Sequence, residues 1–115
     1  METQSEQRQE TLIISFEGSL DALTADQAHS FIGAQLDGGQ QQVVVDLSQV
    51  DFMSSAGIRV LLDMLKRSRG MGGDLRLAAT QPGVQRTLEL SGMVRVLEVY
   101  LSVEEAVRSY GPQEP

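Results

Sequence analysis

The hydroxyl pair Ser54-Ser55 is the arrangement best placed to do chemistry in this chain. It lies in Val50-Asp51-Phe52-Met53-Ser54-Ser55-Ala56-Gly57-Ile58, where a buried strand gives way to an amphipathic helix. A serine at a helix start accepts a hydrogen bond from a free backbone N–H, so one reading is a plain cap. The same place suits a phosphate, because unpaired N–H groups and the helix dipole attract anions. A phosphate there would add about −1.5 to −2 charge to the surface. Ala56 and Gly57 leave the helix start uncluttered for an approaching kinase. Residue chemistry alone leaves both readings open.

Other chemistries lack their parts. The nucleophile elbow G-x-S-x-G needs a glycine where Met53 stands. The single histidine, His29, lies off the Ala28/Ile32/Leu36 stripe of its helix and reads as a surface residue, so a serine triad has no base. Gly70-Met71-Gly72-Gly73 follows a helix and lacks the Walker spacing with its Lys-Ser/Thr pair, which leaves a turn. Asp21, Asp46 and Asp51 are scattered, with no D-x-D spacing to fix an ion. Cysteine is absent, which excludes disulfides, thiolate metal sites and thiol nucleophiles. These gaps predict a protein that is not an enzyme and carries no cofactor or metal.

Composition narrows the partners. Sixteen acidic and nine basic residues give a net charge of −7. That balance argues against nucleic acid, which needs a basic stripe, and against adhesion to anionic membranes. No apolar run approaches the roughly 20 residues of a membrane span. The polar start METQSEQRQE lacks the apolar centre of a signal peptide, so the cytoplasm is the expected location. A length of 115 residues with 41% hydrophobic content suits one domain with its own core.

Strands and helices alternate around the serine pair. Residues 11–17 read as a strand and 18–23 as a turn. Thr24-Ala25-Asp26-Gln27 has the form of a capping box opening a helix that Gly38-Gly39 ends. Residues 42–47 form a second strand, whose valine run predicts burial on both faces. A helix over about 55–69 follows, with Ile58, Leu61, Leu62 and Leu65 as its core face. Val60 and Met64 lie well away from that face, either as a small apolar partner patch or as part of a wider buried stripe. A third strand spans 75–79, a short helix 82–90, and a fourth strand falls within 94–99. A second capping box, Ser102-Val103-Glu104-Glu105, opens a last helix to Tyr110. Residues 1–10 read as a polar tail or an edge strand, and GPQEP at 111–115 as a polar end. The order predicts an α/β fold with about four helices and a mostly parallel sheet of about four to five strands.

Three segments resemble the STAS domain family, of the anti-sigma-factor-antagonist type, within residues 11–110. Gly18-Ser19-Leu20-Asp21-Ala22-Leu23-Thr24-Ala25 is similar to the family's G-x-L-D-x-x-T-A segment. Val43-Val44-Val45-Asp46-Leu47 with Phe52-Met53-Ser54-Ser55-Ala56-Gly57-Ile58 is similar to its strand–loop–helix signature, and Ser91-Gly92-Met93 stands where it has S-G-L. The resemblance implies a regulatory switch in which the domain binds a serine-kinase anti-sigma factor and so releases a sigma factor. The kinase phosphorylates a serine at the start of the second helix, and a PP2C-type phosphatase reverses it. The motif places the acceptor at Ser55. The family's usual Asp before it is Ser54 here, which makes Ser54 the competing acceptor. Asp21 and Thr24 match first-loop positions near the partner, and Ser54, Ala56, Gly57, Arg59, Val60 and Met64 complete the expected contact surface. The competing function is a constitutive interaction subunit of a scaffold or lipid-transport complex, in which Ser55 merely caps.

Overall fold

A computed structural model describes residues 1–111, so the end at 112–115 lies outside the described residues. The chain runs β1 (Glu2–Arg8), β2 (Thr11–Leu20), α1 (Ala25–Asp37), β3 (Gln42–Met53), α2 (Ser55–Gly70), β4 (Asp74–Ala78), α3 (Pro82–Leu90), a 3₁₀ turn (Met93–Arg95), β5 (Val99–Tyr100) and α4 (Val103–Arg108). Its strands form one sheet in the order β1-β2-β3-β4-β5. β2, β3, β4 and β5 pair in parallel, and β1 adds an antiparallel edge to β2. The α/β expectation therefore holds, and residues 1–10 supply an edge strand.

Alternation along the strands sorts the core into two layers. Leu12, Ile14 and Phe16 of β2, with Val43, Val45 and Leu47 of β3, pack under α1, α2 and α3. Ile13 and Val44 point the other way, against Ala106 and Val107 of α4. Val43, Val44 and Val45 are all fully buried, as a central parallel strand requires.

Local readings change at three places. β2 and β3 run beyond 17 and 47, to Leu20 and Met53, with register irregularities between Ser15 and Glu17 and between Gly18 and Ser19. Polar Ser19, Gln49 and the skipped Asp51 interrupt these extensions, which hides them from a hydrophobicity pattern. Thr24 stands at the N-cap of α1, but its side chain makes no capping bond. Its hydroxyl donates to the Ser19 carbonyl at 2.8 Å and accepts from the Asp21 N–H at 3.0 Å, bracing the loop instead. The strand expected within 94–99 is β5, placed at the end of that window and one residue beyond it at Val99–Tyr100, because Met93–Arg95 coil into a 3₁₀ turn after Gly92, which takes φ +77°. The second capping box does place Ser102 Oγ to accept from the Glu105 N–H, at 3.1 Å.

Candidate functional site

β2 and β3 end side by side, with Leu20 paired to Met53. The Ser54 N–H donates to the Leu20 carbonyl at 3.0 Å, so the ladder continues one residue past the strand before the helix begins. Ser54 keeps extended backbone angles, φ −98° and ψ 176°, and its Oγ accepts from the Ala56 N–H at 3.2 Å. That is the N-cap, and it fixes the Ser54 oxygen as an acceptor against the helix start. Ser55 is the first helical residue. It is exposed, and its hydroxyl bonds to no described residue. Two adjacent serines thus take different parts: one closes the helix, the other presents a free O–H.

Gly57 explains how the helix start reaches the sheet. A Cβ at this position would lie 2.4 Å from the Leu20 carbonyl oxygen, inside contact distance. Only a residue without a side chain lets the first turn of α2 rest on the end of β2. Gly57 is buried, so it shapes the surface from beneath.

The loop before α1 leaves the same end of β2 that Ser54 and Gly57 rest on. Asp21 Oδ1 accepts from the Leu23 N–H at 2.9 Å and the Thr24 N–H at 3.3 Å. Asp21 and Thr24 are half-buried and spend their polar atoms on their own loop. The loop presents Leu23, which is 94% exposed. Sequence reasoning missed Leu23, because an isolated leucine in a turn carries no periodic signal. It also missed Phe52, which is 54% exposed on the sheet face opposite Met53.

Val60 and Met64 correct an expectation. They are 5% and 2% exposed and belong to the main core, so they form no surface patch. The buried stripe of α2 runs through Gly57, Ile58, Val60, Leu61, Met64, Leu65 and Ser68, wider than one packing face. The cause is that α2 is covered twice, by the sheet and by α1. Arg67 of α2 ion-pairs with Asp37 of α1 across that second contact. Leu62, read as core, is only partly buried.

Between α1 and α2 a groove of about 410 Å³ opens beside the serine, lined by Asp26, His29, Ser55, Ala56, Arg59 and Asp63 among others. His29 is exposed, as read, but the fold brings it to the same groove as Ser55. The two make no hydrogen bond with each other. Among the described residues no group of three or more His, Cys, Asp or Glu side chains could hold a metal ion. No described helix is long and apolar enough to cross a membrane.

Residues 2–106 match the STAS domain. The chain belongs to the STAS domain family. BtrV of Bordetella bronchiseptica, named as an anti-sigma factor antagonist, is 35% identical to it over 99 residues, covering 86% of this chain and 85% of BtrV. A crystal structure of an anti-sigma factor antagonist from Mycobacterium paratuberculosis superposes with TM-score 0.86 at 25% identity, covering 94% of this chain and 92% of that one. The fold is also that of the anti-sigma factor antagonist SpoIIAA in its unphosphorylated form, with TM-score 0.80 at 22% identity and coverage of 95% and 96%. This STAS domain thus has the α/β architecture, the mostly parallel five-stranded sheet and the four helices expected of it.

Proposed function

We propose that this STAS domain is an anti-sigma factor antagonist, switched by reversible phosphorylation of Ser55. The observation that carries the reading is the division of labour at the helix start. Ser54 Oγ is held by the Ala56 N–H, while Ser55 Oγ is exposed and unbonded one residue on. This favours Ser55 over Ser54 as the acceptor. The names carried by BtrV and SpoIIAA support the same role.

The partner is an anti-sigma factor that is itself a serine kinase, met in the cytoplasm. It docks on the surface made by Leu23 and the Asp21–Thr24 loop, Ser54, Ser55, Ala56 and Arg59. In the forward step Ser55 Oγ attacks the γ-phosphorus of kinase-bound ATP. The phosphorus–oxygen bond to ADP breaks, and the hydroxyl proton passes to a base on the kinase. A PP2C-type phosphatase then delivers water to the phosphorus, restoring the serine and releasing inorganic phosphate. ATP and its metal belong to the kinase. A phosphate at the centre of the contact has to give up its water when the kinase docks, and burying that charge costs several kcal/mol. A loss of about 1.4 kcal/mol already weakens binding tenfold.

Intact-mass measurement after incubation with the cognate kinase and ATP tests this. One phosphate adds roughly 80 daltons to the parent chain. Ser55→Ala is expected to gain nothing, to keep binding the kinase and to resist ATP-driven release. An unmodified parent that still binds its partner would make the protein a constitutive interaction subunit. A Ser55→Ala chain that still gains mass would move the acceptor elsewhere.

A further inference from the structure

The groove beside Ser55 holds a cation that no described group has claimed. Arg59 follows Ser55 by four residues on α2, so the two side chains share one helix face a turn apart. Both line the groove between α1 and α2. Arg59 is exposed and makes no hydrogen bond or ion pair with any described residue. It stays unpaired although two carboxylates, Asp26 of α1 and Asp63 of α2, line the same groove. The Arg59–Asp63 spacing has the cation N-terminal to the acid, the weaker order for a pair four apart. An acid at position 55 with Arg59 after it has the stronger order.

We propose that a phosphate on Ser55 is held in cis by the Arg59 guanidinium, across the mouth of this groove. The inference rests on Ser55 being the phosphorylated residue. One turn is about 5.4 Å, within reach of an arginine side chain. The planar guanidinium matches two phosphate oxygens at once, and such charge-assisted pairs are about twice as strong as neutral hydrogen bonds. The other charged or titratable groups facing this space are His29 and Asp26 on α1 and Asp63 on α2. Protonated His29 would reinforce the pair, and the two carboxylates oppose it. Asp63 lies eight residues from Ser55, roughly 12 Å along the helix axis, twice as far as Arg59. On α2 itself, Arg59 is therefore the nearer charge. The unmodified surface offers a free cation and the modified one a closed ion pair, so one phosphate changes two docking groups.

The test is a phosphorus NMR titration of the full chain with phosphoserine installed at position 55 during translation, so that no kinase is needed. The second ionisation of phosphoserine ordinarily falls near pH 6. Arg59→Gln is expected to raise it by about half a unit relative to the parent, a roughly threefold change in the dissociation constant. Arg59→Lys should recover part of the shift, and about 1 M salt should erase most of it. The substitutions fall on an exposed, unbonded side chain, so the fold is retained. Identical titration of the parent and Arg59→Gln would overturn the proposal. So would a shift produced by His29→Gln but not by Arg59→Gln. A kinase that leaves Ser55 unmodified would instead defeat the functional reading, and the titration would still report on the pair.

Discussion

Ser54 and Ser55 have the same side chain and opposite obligations. The Ser54 hydroxyl accepts the Ala56 N–H, and its own N–H holds the end of β2. Removing that cap should cost about 1 kcal/mol, within a range of about 0.5–2. Ser54→Ala is therefore expected to lower the urea midpoint clearly, whereas Ser55→Ala should leave it nearly unchanged. A reversed order would mean that Ser55 is the structural residue and would remove the reason for choosing it as acceptor. Arg59 belongs to the same scale. Its position one turn after the free hydroxyl matters because nothing else in the groove uses its charge.

At the scale of elements, the decisive contact is the first turn of α2 lying on the end of β2. Gly57→Ala puts a methyl group 2.4 Å from the Leu20 carbonyl oxygen, which the strand end cannot yield without moving. We expect a loss of about 1–3 kcal/mol, the usual cost of overpacking, read as a lowered denaturation midpoint. Much of this geometry was legible in the sequence. The valine run announced a central strand, and the Ser-Ser-Ala-Gly step announced the helix start. What escaped were features set by neighbours rather than by local pattern. Val60 and Met64 fall off the Ile58/Leu61/Leu62/Leu65 stripe and are buried because α2 packs against α1 as well as against the sheet. Thr24 has a capping-box sequence, yet its hydroxyl is drawn to Ser19 and Asp21 by the loop it closes. The ends of β2 and β3 mix polar Ser19, Ser48, Gln49 and Asp51 with apolar Leu20, Val50 and Met53 and are irregular in register, so their pairing shows only in three dimensions.

At the scale of the molecule, three helices cover one face of the sheet and α4 alone covers part of the other. That thin second layer is pinned by Tyr110. Its hydroxyl lies 2.8 Å from the Val43 and Asp74 carbonyl oxygens and accepts from the Val43 N–H at 3.2 Å, while Arg76 stacks 4.0 Å from its ring centre. Burial pushes the Tyr110 hydroxyl well above the usual phenol range. The folded protein therefore keeps this proton where the unfolded chain loses it. The resulting stability is complete below about pH 10 and falls as pH rises beyond it. Tyr110→Phe should lose about 1–3 kcal/mol at neutral pH by stranding its partners. Its deficit against the parent should narrow above about pH 10, as urea unfolding at both pH values would reveal. The net charge of −7 is a background for such local effects; a single phosphate acts through where it sits. The parallel arrangement of β2, β3 and β4 has one more result. Every helix that follows them starts at the same pole as Ser54, and the returning turns at Gly38-Gly39 and Gly72-Gly73 gather at the opposite pole. A fluorophore, a surface tether or a whole fused domain grafted at those turns would sit a strand's length from the serine, so the domain can be wired into larger proteins without obstructing its signalling end.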